Sequence, residues 1–413
     1  MNGSWPSWVE VRLDNIVHNV REIRNLIGPD VKLLAVVKAN GYGHGGIASS
    51  WAALKGGADF LGVGSAQEGV ELFRAGISEN IVVLGGCFED QADMVVDCGL
   101  IQAVHNRDIL QILNRKALRA GKIIRVHLKV DTGMGRLGFR PEEALKVYKE
   151  ALNLKGIKIE GLLSHLAISE ESSSNSAEMQ IGRFNRLRKE FLESGAEVKY
   201  WHICNSGGTV NFPEAHHNMV RCGLLIYGLY PFINPYPEIQ LKPALTWKSR
   251  IVSLKKIYKG ESVSYGGKWR AEKDELIGVV PLGYHDGFDR SLFNKAELLV
   301  GNRRVSVVGD ICMDNLMIRV TECRDLKIGD EVILIGRSGD QYISFHEMAE
   351  RAGTISYEIM SRIGRRVARI YLWKEKRVAI STFLNPVIDT EIFKRIEDSI
   401  IIEDGAGGGK FYV

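Results

Sequence analysis

The 413-residue sequence lacks the features of disulfide-built, zinc-stapled and membrane-embedded chains. Its six cysteines are scattered and none forms a CxxC pair, so neither a disulfide framework nor a metal site is expected. No segment has the apolar length that spans a bilayer, and the N-terminus has no basic stretch followed by an apolar core. These absences predict a cytoplasmic protein in a reducing compartment, with no membrane partner.

An excess of charge of one sign is also lacking. The 54 basic residues nearly balance the 50 acidic ones, the formal net charge is +4, and no long basic run occurs. A nucleic-acid partner is therefore not expected, and a small molecule is the better candidate. The chain is longer than one hydrophobic core usually organises, which predicts two domains.

From about residue 10 to 235, short apolar runs alternate with amphipathic segments, a pattern typical of parallel strands covered by helices. One helix is predicted over 15–27, with Asp14 as its N-cap and Gly28-Pro29 at its end, and another begins at Pro141. The number of repeats favours a TIM-like (β/α)8 barrel over an open sheet. The predicted strands are 33–37, 60–63, 81–84, 124–130, 159–164 and 199–204.

After about residue 240 the pattern changes to short strand-like runs with little helical periodicity, at 250–257, 276–281, 304–308 and 331–335. We therefore predict a barrel over residues 1–240 and a mainly β domain over 241–373. Residues 374–413 form an extension without a functional interpretation. Within it, 378–383 and 400–402 are candidate strands and 405–409 is glycine-rich.

The most informative stretch is Val36-Val37-Lys38-Ala39-Asn40-Gly41-Tyr42-Gly43-His44-Gly45. Lys38 ends an apolar run and precedes a glycine-rich turn, which allows close approach to a ligand. Partial desolvation lowers the pKa of an amine, so a lysine in such a place can form a Schiff base with an aldehyde. By spacing alone, a lysine that caps a strand and points at water is the commoner case.

Other polar residues follow predicted strands in the same way. In a (β/α)8 barrel, the residues that perform chemistry lie at the C-terminal ends of the strands. Lys38, Lys129, His165 and Asn205-Ser206 all lie at or just after such ends. This placement predicts one shared site at the barrel mouth.

The Lys38 segment resembles the cofactor-lysine segment of alanine racemases, and further motifs follow in that family's order over roughly residues 5–373. The resemblance implies a fold type III isomerase that interconverts L-alanine and D-alanine with pyridoxal 5'-phosphate and supplies D-alanine for peptidoglycan. The further motifs are Val130-Asp131-Thr132-Gly133-Met134-Gly135-Arg136-Leu137-Gly138, Ser264-Tyr265-Gly266, Gly283-Tyr284-His285-Asp286-Gly287 and Gly309-Asp310-Ile311-Cys312-Met313-Asp314.

The resemblance also implies how the cofactor is held. Lys38 would carry the pyridoxal phosphate, and Arg221 would face its ring nitrogen. Because a guanidinium can only donate, it disfavours a protonated ring, weakens the electron sink and favours rapid return of the proton over side reactions. The remaining cofactor-binding residues implied by the family are Tyr42, Asn205, Ser206, Gly223, Leu224 and Tyr357.

By the same resemblance, Lys38 exchanges the proton of the D-enantiomer and Tyr265 that of the L-enantiomer, while His165 connects Tyr265 to Arg221. Lys38 lies in the predicted barrel and Tyr265 in the β domain. The family joins the two across a homodimer interface, so each site would use the partner's Tyr265, the partner's Tyr284 and the partner's Met313.

For the substrate, the resemblance implies that Arg136 and the Met313 N–H bind the carboxylate. Lys129 matches a lysine that the family carbamylates, and the resulting anion would hold Arg136 in place. Tyr284, Met313 and Tyr357 would crowd the side-chain pocket and favour a methyl group.

The sequence departs from the family's usual turn at His285 and at Phe288-Asp289, which predicts a different polarity at the entrance. Three alternatives stay open: a racemase of broader specificity that accepts serine, a pyridoxal-dependent decarboxylase and a cofactor-carrying binding protein. Arg221 argues against the decarboxylase, which needs a stronger electron sink. The β domain with Tyr265 and Met313 argues against the binding protein.

Overall fold

The barrel is an eight-stranded, all-parallel sheet whose strands follow one another in chain order. The computed structural model describes residues 5–78, 80–170, 175–231 and 238–385. The two edge strands, Tyr200–His202 and Met219–Cys222, approach each other. Between them, the Arg221 N–H donates to the Cys204 carbonyl, just after the first of these strands, at 3.0 Å. The predicted (β/α)8 barrel is confirmed. Its strands are Lys32–Val36, Phe60–Val63, Ile81–Val83, Ile101–Val104, Ile124–Lys129, Ile157–Leu163, Tyr200–His202 and Met219–Cys222.

Helices alternate with these strands along the chain. The first helix, Leu13–Ile27, buries Ile16, Val20 and Ile23. Its N-cap is Arg12 rather than the predicted Asp14, because the preceding strand passes directly into the helix and leaves Asp14 in its first turn. The other barrel helices are Gly46–Gly56, Ala66–Arg74, Ala92–Asp97, Arg107–Arg119, Pro141–Ala151, Asn175–Glu193 and Ser206–Asn211.

The second domain is built on another eight-stranded sheet, which includes the N-terminal strand Ser7–Arg12. This strand pairs antiparallel with Leu245–Arg250 and parallel with Ala368–Trp373. The structure therefore differs from the predicted barrel over residues 1–240, because buried Val9 and Val11 complete the second sheet instead.

The remaining strands of this sheet include Lys376–Ser381, which pairs with Ala368–Trp373 inside the predicted extension. The candidate strand 400–402 and the glycine-rich segment 405–409 lie outside the described residues. The other strands of the second domain are Ser253–Ile257, Ser262–Val263, Trp269–Arg270, Glu275–Val280, Glu297–Val300, Arg303–Ser306, Leu316–Arg319, Glu331–Ser338 and Gln341–Ile343.

Two short helices, Phe345–Ala352 and Ser356–Ser361, interrupt the β domain and were not predicted. Ser344 caps the first by accepting the Glu347 N–H at 3.0 Å, and Gly353 ends it in a left-handed conformation. The second carries Tyr357 to the barrel mouth. Across the described ranges, no helix combines the length and the apolar character needed to cross a membrane.

The two domains of one chain meet at the turn that follows Lys38. A Cβ at Gly43 would lie 2.3 Å from the Met360 carbonyl, and one at Gly45 would lie 1.9 Å from the Tyr371 hydroxyl. Arg369 is buried and donates from Nε to the Gly43 carbonyl at 3.2 Å. Glycine is required where the turn touches the β domain, since any side chain would separate the two surfaces.

Candidate active site

A cavity of about 720 Å³ opens at the C-terminal ends of the barrel strands. Residues at or just after the ends of seven of the eight barrel strands line it, and the β domain adds Ile355 and Tyr357. The cavity brings together most of the predicted site residues. These are Lys38, Tyr42, Lys129, Arg136, His165, Asn205, Ser206, Arg221, Gly223 and Tyr357.

The Lys38 segment is an unusual left-handed turn. Ala39, Asn40, Gly41 and Tyr42 have φ values of 52°, 51°, 61° and 50°. A residue with a side chain is destabilised by about 1–2 kcal/mol in this left-handed region, so other contacts must stabilise the turn. Among them is the Glu68 carboxylate, which accepts the Ala39 N–H at 2.7 Å and, with its other oxygen, the N–H of residue 64 at 2.6 Å.

Glu68, which stabilises this turn, is absent from the residues predicted from the sequence. The available signal was the pattern Ser65-x-x-Glu68, typical of a helix N-terminus. Ser65 does cap the helix Ala66–Arg74, but the glutamate reaches beyond the cap to the Lys38 turn. This contact is visible only in the folded barrel, where the strand Phe60–Val63 lies beside the strand Lys32–Val36.

The amines of Lys38 and Lys129 share a positively charged neighbourhood. Lys38 is accessible from the cavity, but surrounding protein atoms desolvate its ammonium and lower its pKa, with Arg136 adding to the effect and Glu68 opposing it. Burial lowers the pKa of Lys129 to about 8, and Arg221, Arg136 and Lys38 contribute further. Both amines are therefore more often neutral, and hence more nucleophilic, than exposed lysines.

Neutral donors gather at one side of the cavity. The Ser206 hydroxyl accepts the Gly223 N–H at 2.9 Å, and the Tyr42 hydroxyl lies 2.6 Å from where a Cβ at residue 223 would stand. The Tyr42 and Tyr357 rings are 5.9 Å apart, and burial raises the pKa of both phenols, so both stay protonated. Asn205 caps the helix Ser206–Asn211 by accepting the Gly208 N–H at 3.0 Å.

Leu224 follows directly and begins the 3-10 helix Leu224–Tyr227, fully within the core. Hydroxyls and backbone N–H groups at the edge of such a pocket are the donors that a phosphate dianion uses. The arrangement can therefore hold a phosphate without a basic side chain.

Arg221 is buried, and its guanidinium makes five hydrogen-bond contacts. It donates to the carbonyls of Ser164, His202 and Ile203 at 2.7, 3.0 and 3.0 Å. It also lies 3.0 Å from His202 Nδ1 and 3.2 Å from His165 Nδ1. Burial lowers its pKa to about 10, which still leaves it charged at neutral pH.

The contacts of Arg221 fix the protons of His165. Because a guanidinium has no acceptor, His165 Nδ1 must be the acceptor of their hydrogen bond. Burial and then Arg221 lower the pKa of His165 well below its usual value, so the ring is neutral and its proton is on Nε2. His165, which lines the cavity, is thereby prepared to donate a hydrogen bond from Nε2.

Arg136 lies on a loop ordered by one carboxylate. Asp131 Oδ1 accepts the N–H groups of Gly133, Met134 and Gly135 at 3.0, 2.8 and 3.1 Å. Burial raises the pKa of Asp131, but these N–H donors outweigh it and the net shift is downward. The loop presents the Arg136 guanidinium to the cavity, where it can bind an anion.

Three predicted site residues of the β domain do not reach this cavity. Tyr265, Tyr284 and Met313 lie on the β domain with exposed fractions of 71%, 43% and 52%. Tyr265 and Tyr284 instead border a separate surface depression. Within one chain, the structure therefore brings most of the predicted site residues together in one cavity and leaves these three apart.

The residues that depart from the family's usual turn differ in how far they are buried. His285 is exposed, whereas Phe288 is 1% exposed and its ring centroid lies 6.2 Å from that of Trp247. Asp289 pairs with Arg362 beside the depression that Tyr265 borders. Phe288 is thus a core residue, and a change of polarity at the surface depends on His285 and Asp289.

Comparison with known proteins agrees over both domains. Residues 11–231 match the family model "Alanine racemase, N-terminal domain" and residues 244–371 match "Alanine racemase, C-terminal domain". An alanine racemase of Symbiobacterium thermophilum is 42% identical over 371 residues, which cover 90% of this chain and 98% of the relative.

Two solved structures are also similar to this chain over most of its length. An alanine racemase of Clostridium difficile 630 has a TM-score of 0.88 at 34% identity, with 93% of this chain and all of that chain covered. An alanine racemase of Bacillus anthracis, solved with bound L-Ala-P, has a TM-score of 0.88 at 34% identity and covers 94% of this chain and 100% of its own. The chain therefore belongs to the alanine racemase family.

Proposed function

We propose that this protein interconverts L-alanine and D-alanine with pyridoxal 5'-phosphate, and that its D-alanine supplies peptidoglycan synthesis. The proposal is carried by one observation: a lysine of lowered pKa and a buried arginine that can only donate line the same cavity. Membership of the alanine racemase family, with 98% of a relative's length covered, supports it.

The residues present fit the cofactor. A Cβ at residue 223 would fill the space beside the Tyr42 hydroxyl, so glycine leaves a cradle there, and the Ser206 hydroxyl accepts the N–H of the same residue. Lys38 would hold the aldehyde, Arg221 the ring nitrogen, and the phosphate would be held by Tyr42, Ser206, Tyr357 and the N–H groups of Gly223 and Leu224. Asn205 orders the backbone of this cradle through its cap. When bound, pyridoxal phosphate withdraws electrons from the amino acid and acidifies its α-C–H bond.

Two bases on opposite faces of the substrate would move the proton. Lys38 serves the D-enantiomer, and its lowered pKa leaves a larger neutral fraction to accept a proton. The partner's Tyr265 serves the L-enantiomer. His165 would donate from Nε2 to the phenol oxygen of the partner's Tyr265, which favours its ionised form. Arg221 would hold His165 in this orientation.

A homodimer follows from this assignment. An exposed cluster of two tyrosines and a methionine is unusual for the surface of a monomer and typical of an interaction surface. If the cluster covers the barrel mouth of a second copy, the partner's Tyr265 and the partner's Tyr284 reach the cavity that this chain cannot complete alone. The partner's Met313 would bring its N–H to the substrate carboxylate.

Arg136 would bind the substrate carboxylate, with Lys129 as its support. The lowered pKa of Lys129 supplies a neutral amine that can add carbon dioxide, forming a C–N bond and releasing one proton. The carbamate is an anion and would attract Arg136, whereas the ammonium repels it. The partner's Tyr284, the partner's Met313 and Tyr357 would limit the side chain to a methyl group, so serine would be a slower substrate.

The testing experiment is isotope exchange in heavy water across several amino acids. With L-alanine, we expect α-deuterium in the D-alanine that accumulates, and a lower rate with L-serine. Release of carbon dioxide without D-alanine would instead identify a decarboxylase. Deuterium incorporation without inversion would contradict the two bases.

A further inference from the structure

A line of three buried side chains extends from the active site into the barrel interior. Arg221 Nη1 lies 3.0 Å from His202 Nδ1, and His202 Nε2 lies 2.9 Å from His127 Nδ1. Both histidines have no exposed surface. His127 does not line the cavity, so it cannot touch a substrate there.

The donor and acceptor at each contact can be deduced. Arg221 has only donors, so His202 Nδ1 accepts. A neutral imidazole then carries its proton on Nε2, and His202 donates to His127 Nδ1. Burial lowers the pKa of His127 to about 3 and that of His202 well below its usual value, so both rings are neutral. His127 must therefore be protonated on Nε2.

The barrel makes specific room for His127. The register against the strand Ile157–Leu163 shifts between Val126 and His127, and His127 lies opposite Gly161. A Cβ at Gly161 would stand 2.8 Å from the His127 ring. The backbone irregularity and the glycine together direct an imidazole, rather than an aliphatic side chain, at His202.

His127 Nε2 is buried and has no hydrogen-bond partner among the described residues. An apolar side chain would avoid this unpaired donor, so packing alone does not account for a histidine here. Its useful atom is Nδ1, which accepts from His202.

We propose that His127 is a positioning residue for Arg221, because it holds His202 in the tautomer that accepts the Arg221 hydrogen bond. Without an acceptor at residue 127, His202 could move its proton to Nδ1 and oppose the Arg221 N–H. Arg221 would then tilt and also displace His165, which lies 3.2 Å from Nη2. The inference rests on the proposed function for its catalytic consequence, since that function places Arg221 at the cofactor ring.

Two variants of similar size separate positioning from packing. His127→Leu removes the acceptor, whereas His127→Gln offers an amide oxygen that can accept from His202. Tm is measured beside the rate for both variants, because altered packing would lower Tm in both, whereas loss of the acceptor separates the two variants in rate.

The kinetic readout is the racemisation rate of the holoenzyme. For His127→Leu we expect kcat to fall about tenfold, the change that corresponds to one net hydrogen bond, with KM for alanine unchanged. His127→Gln should recover most of the rate. A His127→Leu enzyme with wild-type kcat, or a glutamine variant as slow as the leucine variant, would overturn the proposal.

Neutron diffraction from perdeuterated holoenzyme crystals reads the tautomer directly. We expect deuterium on His202 Nε2 in the wild type and on Nδ1 in His127→Leu. Deuterium on His202 Nδ1 in the wild type would also overturn the proposal. This readout stays interpretable if the wild type makes no D-alanine, a result that would reject the proposed function and leave the hydrogen-bond line tested on its own.

Discussion

The barrel mouth and the turns of the β domain form two contrasting halves of the predicted site. At the barrel mouth, Arg221 is buried and its hydrogen-bonding N–H groups meet carbonyls and imidazoles of its own chain. On the β domain, Tyr265 is 71% exposed and borders a shallow surface depression. The barrel half is held in place by buried hydrogen bonds, whereas the β-domain half is exposed on the surface. One chain therefore gathers most of the predicted site residues in a single cavity and leaves Tyr265 exposed on the β domain.

The largest effect is expected at the buried half. Lys38→Ala removes both the cofactor link and one base, and we expect the racemisation rate to fall by about 10⁴-fold or more. The visible absorption of the purified holoenzyme should vanish as well. Lys189→Ala is the matched control, because the Lys189 side chain lies on a barrel helix and is 76% exposed. This variant should keep both the racemisation rate and the visible absorption. Retained absorption in Lys38→Ala would move the cofactor to another lysine.

The exposed half is tested by Tyr265→Phe, which keeps the ring and removes the hydroxyl. We expect α-proton exchange from L-alanine to slow by about 10²–10⁴-fold, the usual contribution of one acid–base group. Exchange from D-alanine should be less affected, since Lys38 serves that enantiomer. An unchanged rate from L-alanine would remove Tyr265 from the mechanism.

Mixing inactive variants tests whether the halves combine between chains. An equal mixture of Lys38→Ala and Tyr265→Phe chains, unfolded and refolded together, should recover about one quarter of wild-type activity. The reason is that about half of the dimers would be mixed and each mixed dimer has one intact site out of two. If the two residues served the same chain's site, the mixture would stay inactive. Size-exclusion chromatography of each sample would control for dimer formation.

A smaller effect is expected for Tyr357→Phe in the phosphate cradle. Loss of one neutral hydroxyl donor should raise the Kd of pyridoxal phosphate about tenfold, consistent with a net hydrogen bond of about 1–1.5 kcal/mol. Equilibrium dialysis of the apoenzyme measures this. Tyr258→Phe, on the surface with 55% exposure, should leave the Kd unchanged.

The smallest effect concerns the support of Arg136. Because the pKa of Lys129 is about 8, its amine is mostly protonated below that pH and mostly neutral above it. A carbamate signal in ¹³C NMR with labelled bicarbonate should therefore grow as the pH rises through about 8, well below the range of an ordinary lysine at about 10.4. Lys129→Met should abolish the signal and lower the rate about tenfold. No carbamate at pH 9 would reject the modification.

Much of the fold was predictable because its signals are local. The apolar runs of the barrel, the proline at residue 141 and the alternating runs after residue 240 depend on neighbours a few residues away. The prediction failed where the partner was distant. Ser7–Arg12 reads like any strand, but its place between Leu245–Arg250 and Ala368–Trp373 depends on residues more than 230 positions away.

The order of motifs, and with it the family and the residue types of the predicted site, could be read from the sequence. Folding was needed to bring Glu68 to the left-handed Lys38 turn, to extend the line from Arg221 through His202 to His127, and to leave Tyr265 outside its own chain's cavity. The physical reason is that motif spacing describes covalent neighbours, whereas burial, hydrogen-bond donors and exposed surfaces arise from atoms brought together by folding.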